Sequence, residues 1–253
     1  MLETCLNQAA GLQGMAAQTA APRVIAMASH GKQQGELPLL WNLCSTLVDF
    51  GYPVAVLDAT SAESDQNPGL EQLLNDTYWR DDEAREPLSW SVIPSARGLH
   101  RLCARKSAAG APLAPLSGLL QSFGVIVIYA RAEVLTLLLA DSGIEPLLTV
   151  SPLKLSPVTA YQALKQMLIN AKLRPTIASL MSDPVAHPAM AIPHQVKKLQ
   201  ECAMTFLGYR LDTLAVRTQQ VQDQPSDDMS RLALRLLEKA MPLHRIHSSV
   251  GSH

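Results

Sequence analysis

The sequence lacks several patterns that would fix a function at once. Its four cysteines, Cys5, Cys44, Cys103 and Cys202, lie far apart and form no C-x-x-C pair, so nothing supports a zinc or dithiol redox site. They read as buried free thiols in a reducing cytoplasm. No apolar run reaches the roughly 18 residues needed for a membrane span. No basic region followed by an apolar block marks a secretory signal. Net charge is only −1, which excludes a strongly basic surface for nucleic acid, although a local patch stays open. There is no G-x-S-x-G and no supported Ser-His-Asp set. Internal repeats are missing too. His244 and His247 form an H-x-x-H, but in a polar tail with no carboxylate or cysteine beside them, so no metal site is expected.

What is present can fill a core: 253 residues, 47% hydrophobic and 17% charged. Strand-like apolar runs occur at Val24–Met27, Val54–Leu57, Trp90–Ile93, Val125–Tyr129, Leu147–Val150, Ile177–Leu180 and Leu211–Val216. Helical spacing separates several of them. Leu39, Leu40, Leu43, Leu47 and Val48 form one stripe, and Leu153–Leu173 another, with Ser156 expected as N-cap and Pro157 in the first turn. Val196–Leu207 and Met229–Met241 complete the helical set. "TSAESDQNPG" (60–69), "GAPLAPLSG" (110–118) and "DPVAHPAMAIPH" (183–194), the last holding His187 and His194, read as loops. Alternating strands and helices predict a single α/β domain, doubly wound, with a mostly parallel sheet flanked by helices. The expected division is an N-terminal segment over 1–20, the domain over 21–243, and a polar tail over 244–253. "SRLALRLLEKAM" (230–241) is amphipathic, which fits a final helix packed on the sheet better than a membrane-surface helix.

One stretch, "RVIAMASHGKQQGELPLLWNL" (23–43), has the outline of a phosphate-binding element: strand, glycine-containing loop, helix. Such a loop uses backbone N–H groups, a lysine at the β/γ-phosphates and a hydroxyl on magnesium. After Gly35 stand Glu36 and Leu37 instead. Reversing the sign of one charge near phosphate matters: at about 4 Å and an effective dielectric near 20, a unit pair is worth roughly 4 kcal/mol. Leu37 offers magnesium no oxygen, and Gln33 and Gln34 replace glycine where backbone must approach closely.

The stretch resembles the opening of the MinD/ParA class of deviant P-loop ATPases, in particular the flagellar-number regulator FlhG, also called FleN. That class opens S-G-K-G-G-V-G-K-T. Anchored on "VIA" (24–26) and "NL" (42–43), Ser29 and Gly35 match, Gly31 falls at the signature lysine, Glu36 at the second lysine and Leu37 at the threonine. A compensated one-residue shift puts Lys32 at the signature position. Downstream, "GYPVAVLDAT" (51–60) is similar to the strand ending L-D-A-D, with Asp58 matched and Thr60 in place of the second aspartate. "WSVIPSARGLHRL" (90–102) is similar to a strand and turn reading I-V-P-A-A-S-G. "FGVIVIYARAEV" (123–134) sits at the Walker B strand, with Tyr129 for its aspartate. "PLLTVSPLKLSPVTAYQALKQM" (146–167) and "FLGYRLDTLAV" (206–216) resemble the later strands.

The resemblance implies a pseudo-ATPase: framework retained, but Gly31, Lys32, Gly35, Glu36, Leu37, Asp58 and Tyr129 forming a degenerate nucleotide site. Neither catalysis nor a bound ATP–magnesium cofactor is expected. "NQAAGLQGM" (7–15) is similar to a D-Q-A-x-x-L-R segment with which FlhG contacts FlhF, a signal-recognition-type GTPase. Asn7, Gln8, Ala9, Leu12 and Gln13 are the positions carried over, and Leu2, Leu6, Ala9 and Leu12 independently have helical spacing. The implied function is regulation of flagellar number or placement by contact with such a GTPase. The implied location is the cytoplasm, with recruitment to the pole or the inner membrane face. Two rivals stay open: an atypical ATPase using Lys32 and Asp58, and a positioning protein for a pilus, a cellulose synthase or a chromosome.

Overall fold

A computed structural model of the chain describes residues 21–30, 35–75, 90–109, 112–181, 194–217 and 227–243. In chain order these form β1 (Arg23–Ser29), α1 (Glu36–Asp49), β2 (Val54–Asp58), α2 (Leu70–Leu74), β3 (Trp90–Pro94), α3 (Ala96–Ala109), α4 (Leu116–Leu119), β4 (Val125–Arg131), α5 (Ala132–Leu139), β5 (Leu147–Val150), α6 (Ser156–Ala171), β6 (Thr176–Met181), α7 (His194–Leu207), β7 (Thr213–Arg217), α8 (Asp227–Glu238) and β8 (Met241–Pro242). The strands make one sheet in the order β3-β2-β4-β1-β5-β6-β7. Every neighbouring pair along that order is parallel. The short β8 runs antiparallel to the start of β1, pairing Arg23 with Pro242 and Val24 with Met241. The doubly wound α/β expectation is therefore met.

A parallel sheet with helices on both faces buries its strands on both sides, which is why β1, β4 and β5 read as continuous apolar runs. Val24, Ala26, Ile126 and Ile128 point into one core, which Leu99 of α3, Leu135 of α5, Leu164 of α6 and Leu199 of α7 complete. Ile25, Met27, Val125 and Val127 point into the other, under Leu39 and Leu43 of α1 and Leu232 and Leu236 of α8. The apolar face of the amphipathic C-terminal helix is thus buried on the sheet. Its last turn is also tied down by charge: Arg235 meets Asp212 at 2.7 Å and Glu145 at 3.6 Å, and Lys239 meets Glu145 at 3.7 Å.

Several local expectations need correction. Ser156 does not cap α6; it is the first helical residue, and its hydroxyl accepts the Ser151 N–H at 2.8 Å instead. The stretch 110–118 is not a surface loop throughout: Leu113 and Leu116 are buried and α4 begins at Leu116. In 60–69, Glu63 is buried. His194 opens α7 rather than closing a loop. Of the cysteines, Cys44 is buried, with burial pushing its thiol up to about 12, but Cys202 is exposed. Met241 lies in β8, not in the final helix. Among the described residues no helix is long and apolar enough to cross a membrane.

Candidate functional site at the carboxyl ends of the central strands

In open α/β sheets the ligand crevice lies beyond the carboxyl ends of the strands. Here the level is set by register: Asp58 of β2 lies beside Tyr129 of β4, and Tyr129 beside Met27 of β1. Nine positions after Met27, at the start of α1, stands Glu36.

Glu36 is fully buried. Its carboxylate reaches back to the end of β1. Both oxygens accept the His30 backbone N–H, at 3.1 and 3.3 Å. Oε2 also accepts the Tyr129 hydroxyl at 2.6 Å. The two residues that the sequence resemblance aligns with the lysine and the Walker B aspartate are therefore hydrogen-bonded to each other across 93 positions of sequence. Tyr129 is itself 1% exposed. Its phenol is held well above the ordinary range, first by burial and then by the hydrogen bond to the Glu36 carboxylate. The His30 ring reaches the other side, its Nε2 lying 3.0 Å from the Thr149 carbonyl at the end of β5, so the ring donates there.

Gly35 sets up this inward turn. It adopts φ +81°, which favours glycine, and a Cβ there would come within 3.0 Å of Leu180 Cδ1. Leu37 is half-buried and packs against the core beneath α1. Gly31 and Lys32 lie outside the described residues, as do Asn7, Gln8, Ala9, Leu12 and Gln13, and the pair His244 and His247.

Asp58 is occupied locally. One carboxylate oxygen accepts the Thr60 N–H at 2.8 Å and the Thr60 hydroxyl at 2.6 Å, and the other accepts the Ser61 hydroxyl at 2.6 Å. This is a closed side-chain turn of the kind aspartate makes with its own following backbone. Next to it sits a carboxylate that the motif reading did not single out. Glu63 accepts the Arg97 N–H and the Gly98 N–H, both at 2.8 Å, and so satisfies the first turn of α3. No local pattern announces it, because its partners come 34 and 35 residues later.

A polar cleft of about 340 Å³ opens beside this cluster, between the end of β1 and the facing sides of α5 and α6, with His30, Arg131, Glu133, Gln162 and Gln166 on its walls.

A nucleotide triphosphate with magnesium needs an ammonium at the β/γ-phosphates and oxygen donors free for the metal. The described residues do not fit that group. A buried carboxylate already takes the loop's first N–H, Tyr129 spends its proton on that carboxylate, and the Asp58 oxygens are engaged by Thr60 and Ser61.

No protein-family model matches the chain, and no curated protein matches it. Solved structures do. The cobyrinic acid a,c-diamide synthase of Mycobacterium smegmatis, with bound ADP and magnesium, superimposes with a TM-score of 0.57 at 17% identity, covering 87% of this chain and 98% of that one. MinD in the MinC:MinD cell division complex of Aquifex aeolicus gives 0.52 at 16%, covering 88% and 98%. A putative plasmid partition protein of Borrelia burgdorferi, bound to AMPPNP, gives 0.52 at 14%, covering 87% and 99%. Identities this low establish architecture alone. The chain has the fold of the MinD/ParA-type P-loop ATPases.

Proposed function

We propose that this protein is a non-catalytic, FlhG-like regulator of flagellar number or placement, acting by protein–protein contact with an FlhF-like signal-recognition-type GTPase. The observation that carries the non-catalytic half is the buried Glu36–Tyr129 hydrogen bond at 2.6 Å. Phosphoryl transfer depends on positive charge and metal at the transferring group. A carboxylate and a neutral phenol supply neither. The flagellar half is supported by the similarity of residues 7–15 to the GTPase-contacting segment, and the fold is compatible with it. The test is a pull-down of an FlhF-like GTPase by the full chain and by a variant lacking residues 1–20. Loss of capture with an unchanged melting temperature is expected; undiminished capture refutes the assigned contact.

A second reading has its own support, since structural neighbours were solved with AMPPNP and with ADP and magnesium. It is an atypical ATPase, or a nucleotide-binding positioning protein for another cargo, using Lys32 and Asp58. Calorimetry with ATP and magnesium separates the two. Micromolar binding that disappears in Lys32→Ala favours this rival; no measurable heat favours the regulator.

A further inference from the structure

We propose that an apolar strip along the flank of α1 and the outer strand β3 is the docking surface for this chain's own residues 1–20, which lie outside the described residues. The strip is built on two tryptophans in edge-to-face contact, Trp41 of α1 and Trp90 of β3, with ring centres 4.5 Å apart. Val92 follows two positions after Trp90, on the same face of β3. Trp41 is 52% exposed and Val92 47%, while Trp90 is half-buried against the core under α1. β3 ends the strand order, so no described strand lies beyond it. Towards the amino end of the sheet the surface continues through half-buried Tyr52, two positions before Val54, the in-register partner of Trp90. Apolar side chains exposed singly are ordinary; a continuous strip holding two tryptophans marks a contact surface.

Three observations name the occupant. First, the segment is attached beside the strip. The Arg23 N–H donates to the Gly124 carbonyl at 3.0 Å, and a Cβ on Gly124 would stand 3.1 Å from Tyr52 Cδ1. Second, level and reach agree. Arg23 pairs with Val125, Val125 with Val54 and Val54 with Trp90, so Trp90 stands level with Arg23, three strand spacings or about 14 Å away. Residues 1–20 span about 30 Å even when wholly helical. Third, the chemistry suits. Glu3 is the only charged side chain in residues 1–20, and Leu2, Leu6, Ala9 and Leu12 have the spacing of one helical face. A solvated tail has the opposite composition. A tether of this length holds its segment at an effective concentration of order 1 mM, so a Kd of about 100 μM in trans keeps about nine in ten chains docked. A contact this weak opens on warming before the sheet does, and leaves the melting temperature to the rest of the fold.

Tryptophan fluorescence reads the contact directly. In a full-length Trp79→Phe background, Trp41 and Trp90 are the only indoles. Deleting residues 1–20 should shift their emission to the red and increase acrylamide quenching. A synthetic peptide of residues 1–20 should reverse both changes, half-saturating near about 100 μM. The same peptide carrying Leu6→Asp and Leu12→Asp should not. Full-length Val92→Asp, altered at an exposed position, should match the deletion and ignore the peptide. Emission and quenching that the deletion leaves unchanged overturn the proposal, and so does a deletion variant blind to about 1 mM peptide. A change on dilution that is equal with and without residues 1–20 marks a second copy on the strip and also overturns it.

Docking covers the same residues that the reading above assigns to the GTPase contact, so the docked and partner-bound states exclude each other. This consequence, unlike the docking itself, rests on that reading. Val92→Asp should therefore capture an FlhF-like GTPase several-fold better than the wild type; equal capture by both overturns the exclusion. No capture by either, with the fluorescence response intact, refutes the regulator reading and not the docking, so the two failures are distinguishable.

Discussion

The phenol of Tyr129 illustrates how one side chain links burial, charge and pH. Its proton is retained in the folded protein because burial and the adjacent Glu36 carboxylate both disfavour a phenolate. The ordinary tyrosine value is about 10. Below that pH both folded and unfolded chains hold the proton, and the stabilisation is complete. Above it the unfolded chain releases its proton first, so stability falls by about 1.4 kcal/mol per pH unit until the folded phenol also ionises. Tyr129→Phe should cost about 1–3 kcal/mol at neutral pH, because it strips a donor from a buried carboxylate. The gap between the two proteins should then narrow as pH rises past 10. Denaturant titrations at several alkaline pH values measure this, and a gap that stays constant contradicts the assignment. Glu36 and Tyr129 could each be flagged in the sequence as departures from a motif. That they bond to each other could not, because 93 residues separate them and only the β1–β4 pairing brings them together.

At the level of elements, Glu63 decides how β2 and β3 hand over to their helices. With both oxygens on the first turn of α3, it pins the 60–69 connection against that helix. Close packing there is severe: a Cβ on Gly98 would come within 2.6 Å of Leu70 Cγ, so α2 and α3 touch through the glycine. Glu63→Ala should destabilise the protein by about 1–3 kcal/mol, since it orphans the buried Gly98 N–H and the part-buried Arg97 N–H. Hydrogen exchange should show the effect first at Arg97 and Gly98; an unaltered α3 would refute the role. The central strands were visible as apolar runs because they are buried on both faces, and the edge strands β3 and β7, only partly buried, were read from shorter apolar runs. The helices α3 and α5 were not. In α5 the run from Val125 through Leu139 is apolar almost without break, so strand and helix merge into one signal. In α3 the apolar positions Leu99 and Leu102 are outnumbered by Arg, His, Lys and Ala, leaving little periodicity to read. The two-residue β8 is created by its partner, Arg23–Val24, and no local sequence could announce it.

For the molecule as a whole, the sheet divides the interior into two cores that share strands but no side chains. Ile25 belongs to the α1 and α8 side, and Ile177 to the other; β5 separates their strands, placing them roughly 10 Å apart. Ile25→Val and Ile177→Val should each cost about 0.5–1.5 kcal/mol. Their double variant should equal the sum to within about 0.5 kcal/mol in urea titrations. A larger deviation would mean that the faces communicate through the sheet. Strand order itself was beyond the sequence. β4 inserts between β1 and β2, a choice made by long-range packing that no window of residues contains.

The pairing of β8 with β1 has a consequence for how the chain can be handled. The Leu243 N–H donates to the Pro22 carbonyl at 2.8 Å, so the first and last stretches of the described residues meet at one point, at the amino end of β1. Seven strand residues, roughly 20 Å, separate that junction from Ser29 and the Glu36 carboxylate. A short peptide ligating the neighbourhoods of 22 and 243 would give a circular polypeptide without bending any strand. New ends could then be cut elsewhere on the surface, leaving the far rim of the sheet undisturbed.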